Sequence, residues 1–143
     1  MALLRKILAP TDFSDLSAKG VRYACQLAKE VGAELIIINV VLLDESGAIN
    51  KREIEEHKQH LDDFFTMKLA DVGSDLKIRK IVETGEPSAA IANRAESDEG
   101  IDLIVMSTHG RSGLSRFLIG SVTDKLVRRS PCPVLVVPLE RES

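Results

Sequence analysis

The chain has 143 residues, of which 44% are apolar and 29% are charged, and its formal net charge is −3. This composition excludes a disordered chain and predicts one folded domain over residues 1–143. The negative charge and the lack of tryptophan offer nucleic acid neither electrostatic attraction nor a stacking surface. No apolar run approaches the roughly 20 residues that span a bilayer, and the two cysteines indicate no disulfide framework. We therefore expect a cytoplasmic protein without nucleic-acid or membrane partners.

Short apolar runs alternate with helical patterns along the whole chain. The first strand is predicted over 5–9, and Ser14 or Asp15 is expected to cap the helix that follows. Gly32 ends that helix, and a nearly continuous apolar run predicts a buried strand over 34–42. The later predicted elements are a helix from residue 51, a strand over 76–82, a helix over 88–99, a strand over 101–106, a helix containing Phe117, Val122, Leu126 and Arg129, and a strand over 133–137.

Five strands that alternate with four helices predict an α/β fold, a doubly wound parallel sheet with helices on both faces. The common strand order for such a sheet is 3-2-1-4-5, which places the first and fourth strands side by side. Their connections leave in opposite directions, and ligands bind at the carboxyl ends of the strands at such a switch point. Because residues 10–12 and 107–110 follow these two strands, we expect both turns to line one crevice. Asn39 is expected to mark the ligand-side end of the second strand.

The turn after the fourth predicted strand has the composition of a phosphate-binding turn. Its glycines let the backbone approach a ligand closely, and the first amides of the next helix attract an anion. A helix terminus alone contributes about 0.3–1 kcal/mol, whereas micromolar affinity needs roughly 8 kcal/mol, so several donors must converge. The same glycines could serve only a tight turn, and no Walker or dinucleotide-binding pattern is present. The candidate donors are Ser107, Thr108, Gly110, Gly120 and Ser121.

Several motifs together resemble those of the universal stress protein family. The ATP-binding signature of that family has a glycine, two residues, a glycine, nine residues, and then a glycine followed by serine or threonine. The present chain has Ser107, Gly110, Gly120 and Ser121 at these positions, with serine in place of the first glycine. The likeness covers essentially the whole chain. Its other motifs are Ala9-Pro10-Thr11-Asp12, Gly85-Glu86-Pro87 and the last strand, Pro133 to Val137.

The resemblance implies an adenine nucleotide alpha hydrolase-like fold and an ATP-binding, homodimeric regulator of the stress response. It implies that Pro10, Thr11 and Asp12 border the adenine and ribose, with Asp12 accepting a hydrogen bond from a ribose hydroxyl. Val40 would offer backbone groups to the adenine edge, and Met106 would pack on the base or ribose. The residues implied to hold the phosphates are Ser107, Gly110, Gly120, Ser121 and Val122.

Other functions stay open at this stage. Asp12 could serve only as a charge at a helix N-terminus, and the Ser121 hydroxyl could bond only its own helix. No nucleophile–base pair suggests dedicated catalysis, although slow ATP hydrolysis aided by Mg²⁺ or Mn²⁺ on the phosphates is conceivable. No protein metal site is predicted, and His57 and His60 are assigned no role. The alternative function is a same-fold interaction or signalling module that has lost nucleotide binding because of Ser107.

The last predicted strand favours a homodimer. In the order 3-2-1-4-5 this strand forms an edge of the sheet, yet its residues are apolar toward both faces. An exposed apolar edge invites pairing with another chain, and residues 138–143 are too few to cover it. The family resemblance implies the same homodimer. The strand residues expected at the interface are Val134, Leu135, Val136 and Val137.

Overall fold

Five parallel strands form the centre of the protein. The structure is a computed structural model that describes residues 3–43, 45–97, 100–108 and 120–138. Its strands are β1 (Lys6–Pro10), β2 (Glu34–Val41), β3 (Ile78–Thr84), β4 (Ile101–Ser107) and β5 (Val134–Val137). They make one sheet in the order β3-β2-β1-β4-β5, with every neighbouring pair parallel. The predicted strand order is therefore confirmed.

Helices cover both faces of this sheet, as predicted. They are α1 (Asp15–Val31), α2 (Lys51–Lys68), α3 (Ala70–Gly73), α4 (Pro87–Ser97) and α5 (Ser121–Arg129). One apolar cluster joins the sheet to α1, α2 and α3, and a second cluster joins the opposite face to α4 and α5. In the described segments, no helix combines the length and apolar character that crossing a bilayer requires.

Several strands and helices begin or end at residues other than the predicted ones. β1 includes Pro10 as its last residue. The missing amide of this proline does not end the pairing with β2, because the next amide, that of Thr11, donates to the Ile38 carbonyl at 2.9 Å. β3 is shifted toward the carboxyl end, since its pairing with β2 extends to Thr84. The predicted helix from residue 51 is interrupted at Leu69, where φ is −132°, and α3 follows as a separate turn.

Helix α1 crosses β4 closely at Gly20. A Cβ atom at this position would lie 2.6 Å from the Ser107 nitrogen and 3.0 Å from the Met106 carbonyl carbon. Main-chain atoms cannot rotate away, so a side chain here must push the helix from the strand. The absence of a side chain at Gly20 therefore allows the carboxyl end of β4 to pack directly against the backbone of α1.

Gly20→Ala is expected to destabilise the protein by about 1–2 kcal/mol. Overpacking costs about 1–3 kcal/mol, and a 2.6 Å contact with a main-chain nitrogen belongs in the upper part of this range. The roughly 1 kcal/mol by which alanine favours a helix over glycine offsets only part of that cost. Urea unfolding measures the change. The control is Lys19→Ala on the exposed side of the same helix, which should shift the unfolding free energy by less than about 0.5 kcal/mol. An unchanged midpoint for Gly20→Ala would show that helix and strand can separate without loss.

Candidate functional site

A cavity of about 570 Å³ opens at the carboxyl ends of β1, β2 and β4. This volume lies within the range of small-molecule sites, about 300–1,000 Å³. Nine of the ten predicted site residues line it, whereas Gly110 lies outside the described residues. These nine are Pro10, Thr11, Asp12, Val40, Met106, Ser107, Gly120, Ser121 and Val122. Residues 10–12 and Ser107, which belong to the two turns predicted to share a crevice, therefore line one cavity, whereas residues 109 and 110 lie outside the described residues.

The turn after β1 is held by its own side chains. The hydroxyls of Thr11 and Ser17 are 2.7 Å apart, and Thr11 Oγ1 accepts from the Phe13 amide at 3.0 Å. Asp12 Oδ1 accepts from the amide of Ser14 at 3.0 Å and from its hydroxyl at 2.5 Å. Phe13 has a φ of 70°, which is uncommon for a residue with a side chain. Asp12 thus stabilises the start of α1, and it also lines the cavity.

A chain of hydrogen bonds links this turn to β2 and α2. Asn39 is buried, and its Nδ2 donates to the Thr11 carbonyl at 2.9 Å. This bond orients the amide so that Asn39 Oδ1 faces Nδ1 of His57, 2.9 Å away. The strand continues to Val41, two residues beyond the end that Asn39 was expected to mark. Asn39 lines the cavity from within the strand instead.

Helix α2 supplies a wall of the cavity that the sequence did not predict. Glu53 and His57 lie one turn apart on α2, and both line the cavity. His60 stacks on the Phe13 ring with centroids 3.9 Å apart, and His57 lies 5.9 Å from the same ring. The only available sequence signal was the four-residue spacing of two polar side chains on a helix next to β2. That spacing is equally typical of a solvated face.

The start of α5 lies at another part of the cavity and has no side-chain cap. Gly120 is its N-cap residue, and no side chain accepts from the first amides of this helix in the part of the chain that the structure describes. At the starts of α1, α2 and α4, by contrast, the side chains of Ser14, Asn50 and Glu86 accept from the first amides. An uncapped helix start with outward-pointing amides is suited to bind an anion.

Two hydrogen bonds attach the start of α5 to the end of β4. The buried Thr123 hydroxyl donates to the Ser107 carbonyl at 3.1 Å. The Gly120 amide donates to the Thr108 carbonyl at 2.6 Å. Thr123 was not predicted from the sequence, where a threonine one turn into a helix carries no distinguishing signal. These bonds hold the α5 amides beside the carboxyl end of the strand.

Glu86 caps α4 and directly precedes Pro87, which lines the cavity. Its carboxylate accepts from the Ser88 hydroxyl at 2.7 and 2.8 Å and from the amides of Ser88 and Ala89 at 3.2 and 2.9 Å. Lys125 of α5 lies 3.7 Å away. The Ser88 hydroxyl and the Ala89 amide are the main causes that lower the pKa of Glu86 from 4.5 to about 2. The carboxylate therefore stays charged at any ordinary pH.

Glu86→Gln is expected to lower the free energy of unfolding at neutral pH, and the difference from the wild-type protein should disappear in acid. A depressed pKa means that the carboxylate stabilises the fold fully above its unfolded value of 4.5, and that this contribution disappears as the pH falls through about 2. Urea unfolding of both proteins between pH 7 and pH 2 should show the difference narrowing below pH 4.5. Glu96→Gln, which alters an exposed carboxylate on α4, is the control. A difference independent of pH would contradict the capping role.

The described residues contain no group of three or more His, Cys, Asp or Glu side chains that could hold a metal ion. The cavity instead combines main-chain donors at the start of α5 with the apolar side chains of Ile38, Ile91 and Met106. Such an arrangement fits a ligand with an anionic end and a flat, weakly polar end.

Fold and site define a doubly wound α/β domain with a ligand-sized crevice at its topological switch point. The chain belongs to the universal stress protein family, whose sequence profile matches residues 4–138. Universal stress protein MJ0577 of Methanocaldococcus jannaschii is 32% identical, over 94% of this chain and 95% of its own. Universal stress protein YxiE of Bacillus subtilis is 33% identical, over 94% and 99%.

Solved structures of the family share the fold. Universal stress protein UspA from Lactobacillus plantarum is 25% identical and has a TM-score of 0.76 over 93% of this chain and 97% of its own. A universal stress protein in complex with cAMP is 24% identical, with a TM-score of 0.75 over 95% and 98%. The protein from Archaeoglobus fulgidus in complex with dAMP is 19% identical, with a TM-score of 0.69 over 95% and 98%.

Proposed function

We propose that the crevice binds ATP and that the protein acts as a homodimeric regulator of the stress response. The observation that carries the proposal is the uncapped start of α5, which opens on a cavity of nucleotide size. Membership of the universal stress protein family supports a role in the stress response.

The phosphates would lie at the start of α5. The amides of Ser121, Val122 and Thr123 occupy the first turn of this helix, and the Ser121 hydroxyl would add a further donor. Hydrogen bonds to a charged group contribute about 1.5–3 kcal/mol each, so three or four supply most of the roughly 8 kcal/mol that micromolar binding needs. Mg²⁺ or Mn²⁺ is expected to bind the phosphates of the nucleotide rather than a set of protein ligands.

The adenine and ribose would lie toward β1 and β2. Asp12, which lines the cavity, would accept from a ribose hydroxyl, and the main chain of Val40 would meet the edge of the base. Met106 and Ile91 line this cavity from the sheet and from α4, and they would offer an apolar surface to the base. The cAMP and dAMP complexes show that other proteins with this fold hold adenine nucleotides.

Nucleotide release and calorimetry test the proposal. Heating the purified protein and chromatographing the supernatant should reveal adenine nucleotide, and titration of nucleotide-free protein should give micromolar or tighter binding of ATP. GTP at the same concentrations serves as the comparison ligand. A protein that releases no nucleotide and binds none in calorimetry would overturn the proposal.

A second candidate is a same-fold interaction module that has lost nucleotide binding. It is favoured by Ser107, which stands at the first glycine position of the family signature and lines the cavity with a side chain that a glycine would lack. Ser107→Gly separates the two candidates. A large gain in ATP affinity on this change would indicate that the serine obstructs the phosphates, whereas an unchanged micromolar affinity would support the ATP-binding protein.

A further inference from the structure

One ring nitrogen of His57, Nδ1, is hydrogen-bonded to Asn39, whereas the other, Nε2, can still bond a ligand. The Asn39 amide is oriented by its 2.9 Å donation to the Thr11 carbonyl, so the atom that faces His57 is the acceptor Oδ1. His57 Nδ1 must therefore carry a proton and donate across the 2.9 Å contact. In the neutral ring, Nε2 is then an acceptor. No described residue donates to it in the structure.

The position of His57 suggests which part of a ligand it meets. Its partner Asn39 belongs to β2, whereas the start of α5 follows β4, and β1 lies between these two strands. Neighbouring strands are about 4.8 Å apart, so the two ends of the cavity are separated by about 10 Å. A ligand whose phosphates lie on α5 therefore brings its base and sugar toward His57. This step rests on the proposed function.

We propose that His57 is a specificity-determining residue, whose Nε2 accepts a hydrogen bond from an N–H or O–H donor at the base end of the ligand. The exocyclic amine of adenine is such a donor, and a ribose hydroxyl is another. A base that carries a carbonyl oxygen in place of the amine would set two acceptors against each other. A site built around a hydrogen bond discriminates against a ligand that leaves its polar group unpaired.

Asn39 acts through His57 rather than on the ligand. By fixing the protonated nitrogen it leaves Nε2 as the acceptor of a ring that lines the cavity, as outer partners do for histidines that bind metals. His60 stacks on Phe13 next to His57, but it is not among the residues that line the cavity. This difference makes His60 a matched control on the same helix.

Calorimetric titration with ATP, ITP and the 2′- and 3′-deoxy forms of ATP tests the inference. ITP differs from ATP by a carbonyl in place of the amine, so it reports on the base, whereas the deoxy forms report on the sugar hydroxyls. The wild-type protein should prefer ATP over at least one of these analogues. In His57→Phe, which keeps an aromatic ring against Phe13, that preference should fall by about tenfold.

Two further variants separate specificity from folding. His57→Gln retains one donor for Asn39 and one acceptor, and should restore part of the preference. His60→Phe should leave it unchanged. If the wild-type protein binds no adenine nucleotide, the proposed function fails together with this inference. If it binds ATP and both His57 variants keep the wild-type ratios for all analogues, the inference alone is overturned.

Discussion

Ser121→Pro is expected to weaken ATP binding by at least about tenfold beyond Ser121→Ala, while α5 remains folded. Ser121 is the first residue of α5, and its amide has no acceptor within the helix. Proline removes that amide and is well tolerated at the first helical position. The preceding Gly120 has φ −61° and ψ 153°, a conformation that proline allows in its neighbour.

The alanine variant is the matched control for the hydroxyl. Ser121→Ala removes only the side-chain donor to the charged phosphate, which should cost about 1.5–3 kcal/mol, or roughly 10- to 150-fold in affinity. The proline variant also loses a charge-assisted amide bond of about 1.5–3 kcal/mol, which corresponds to a further 10- to 150-fold or so. Isothermal titration calorimetry with ATP measures both, and urea unfolding checks that the two variants are equally stable.

Adenosine supplies the internal control, because it carries no phosphate. Its affinity should be the same for the wild-type protein and for both variants. Equal ATP affinity for the alanine and proline variants would exclude the Ser121 amide as a phosphate ligand. A parallel loss of adenosine affinity would instead indicate that the substitution disturbs the whole crevice.

Those parts of the fold and site that depend on local signals could be predicted from the sequence. Apolar runs of strand length located the five strands, and the order 3-2-1-4-5 followed from what is common for such sheets. Ser14 and Gly32 mark the ends of α1 as expected. The two turns that meet in the cavity follow neighbouring strands. Their proximity is a consequence of topology, because the carboxyl ends of parallel strands lie at one edge of the sheet.

The residues that were missed reach the site through tertiary packing. His57 and Glu53 line the cavity because α2 packs with that side toward β2, and the charges around them give no local indication of this rotation. Gly20 is needed because another backbone passes within van der Waals distance, which no pattern within α1 reveals. Glu86 was noted only as part of a motif, although its carboxylate caps a helix.

Val136→Pro is expected to weaken the proposed homodimer by about fivefold or more without unfolding the protomer. β5 is an edge strand that pairs with β4 on one side only. The carbonyls of Pro133 and Val137 accept at 3.0 Å from the amides of Ile104 in β4 and of Thr108 just after it, so alternate residues of β5 face β4. The backbone of Val136 therefore faces outward, where a second chain would pair with it.

Proline at this position removes the outward amide and leaves the bonds to β4 in place. The preceding Leu135 is in a strand, the conformation that a following proline favours. In a twofold dimer each substitution is present twice. Two lost main-chain bonds of about 0.5–1.5 kcal/mol each correspond to roughly 5- to 150-fold in the dissociation constant. The pyrrolidine ring adds a steric obstacle at the paired edge.

Analytical ultracentrifugation over a range of protein concentrations measures the effect. Val136→Thr keeps the amide and the branched side chain, so it should sediment as the wild-type protein does. The same experiment discriminates among interfaces, because only pairing along β5 requires an outward amide from Val136. A proline variant that dimerises with wild-type affinity would place the contact on another surface, and a wild-type protein that is monomeric throughout would exclude the dimer itself.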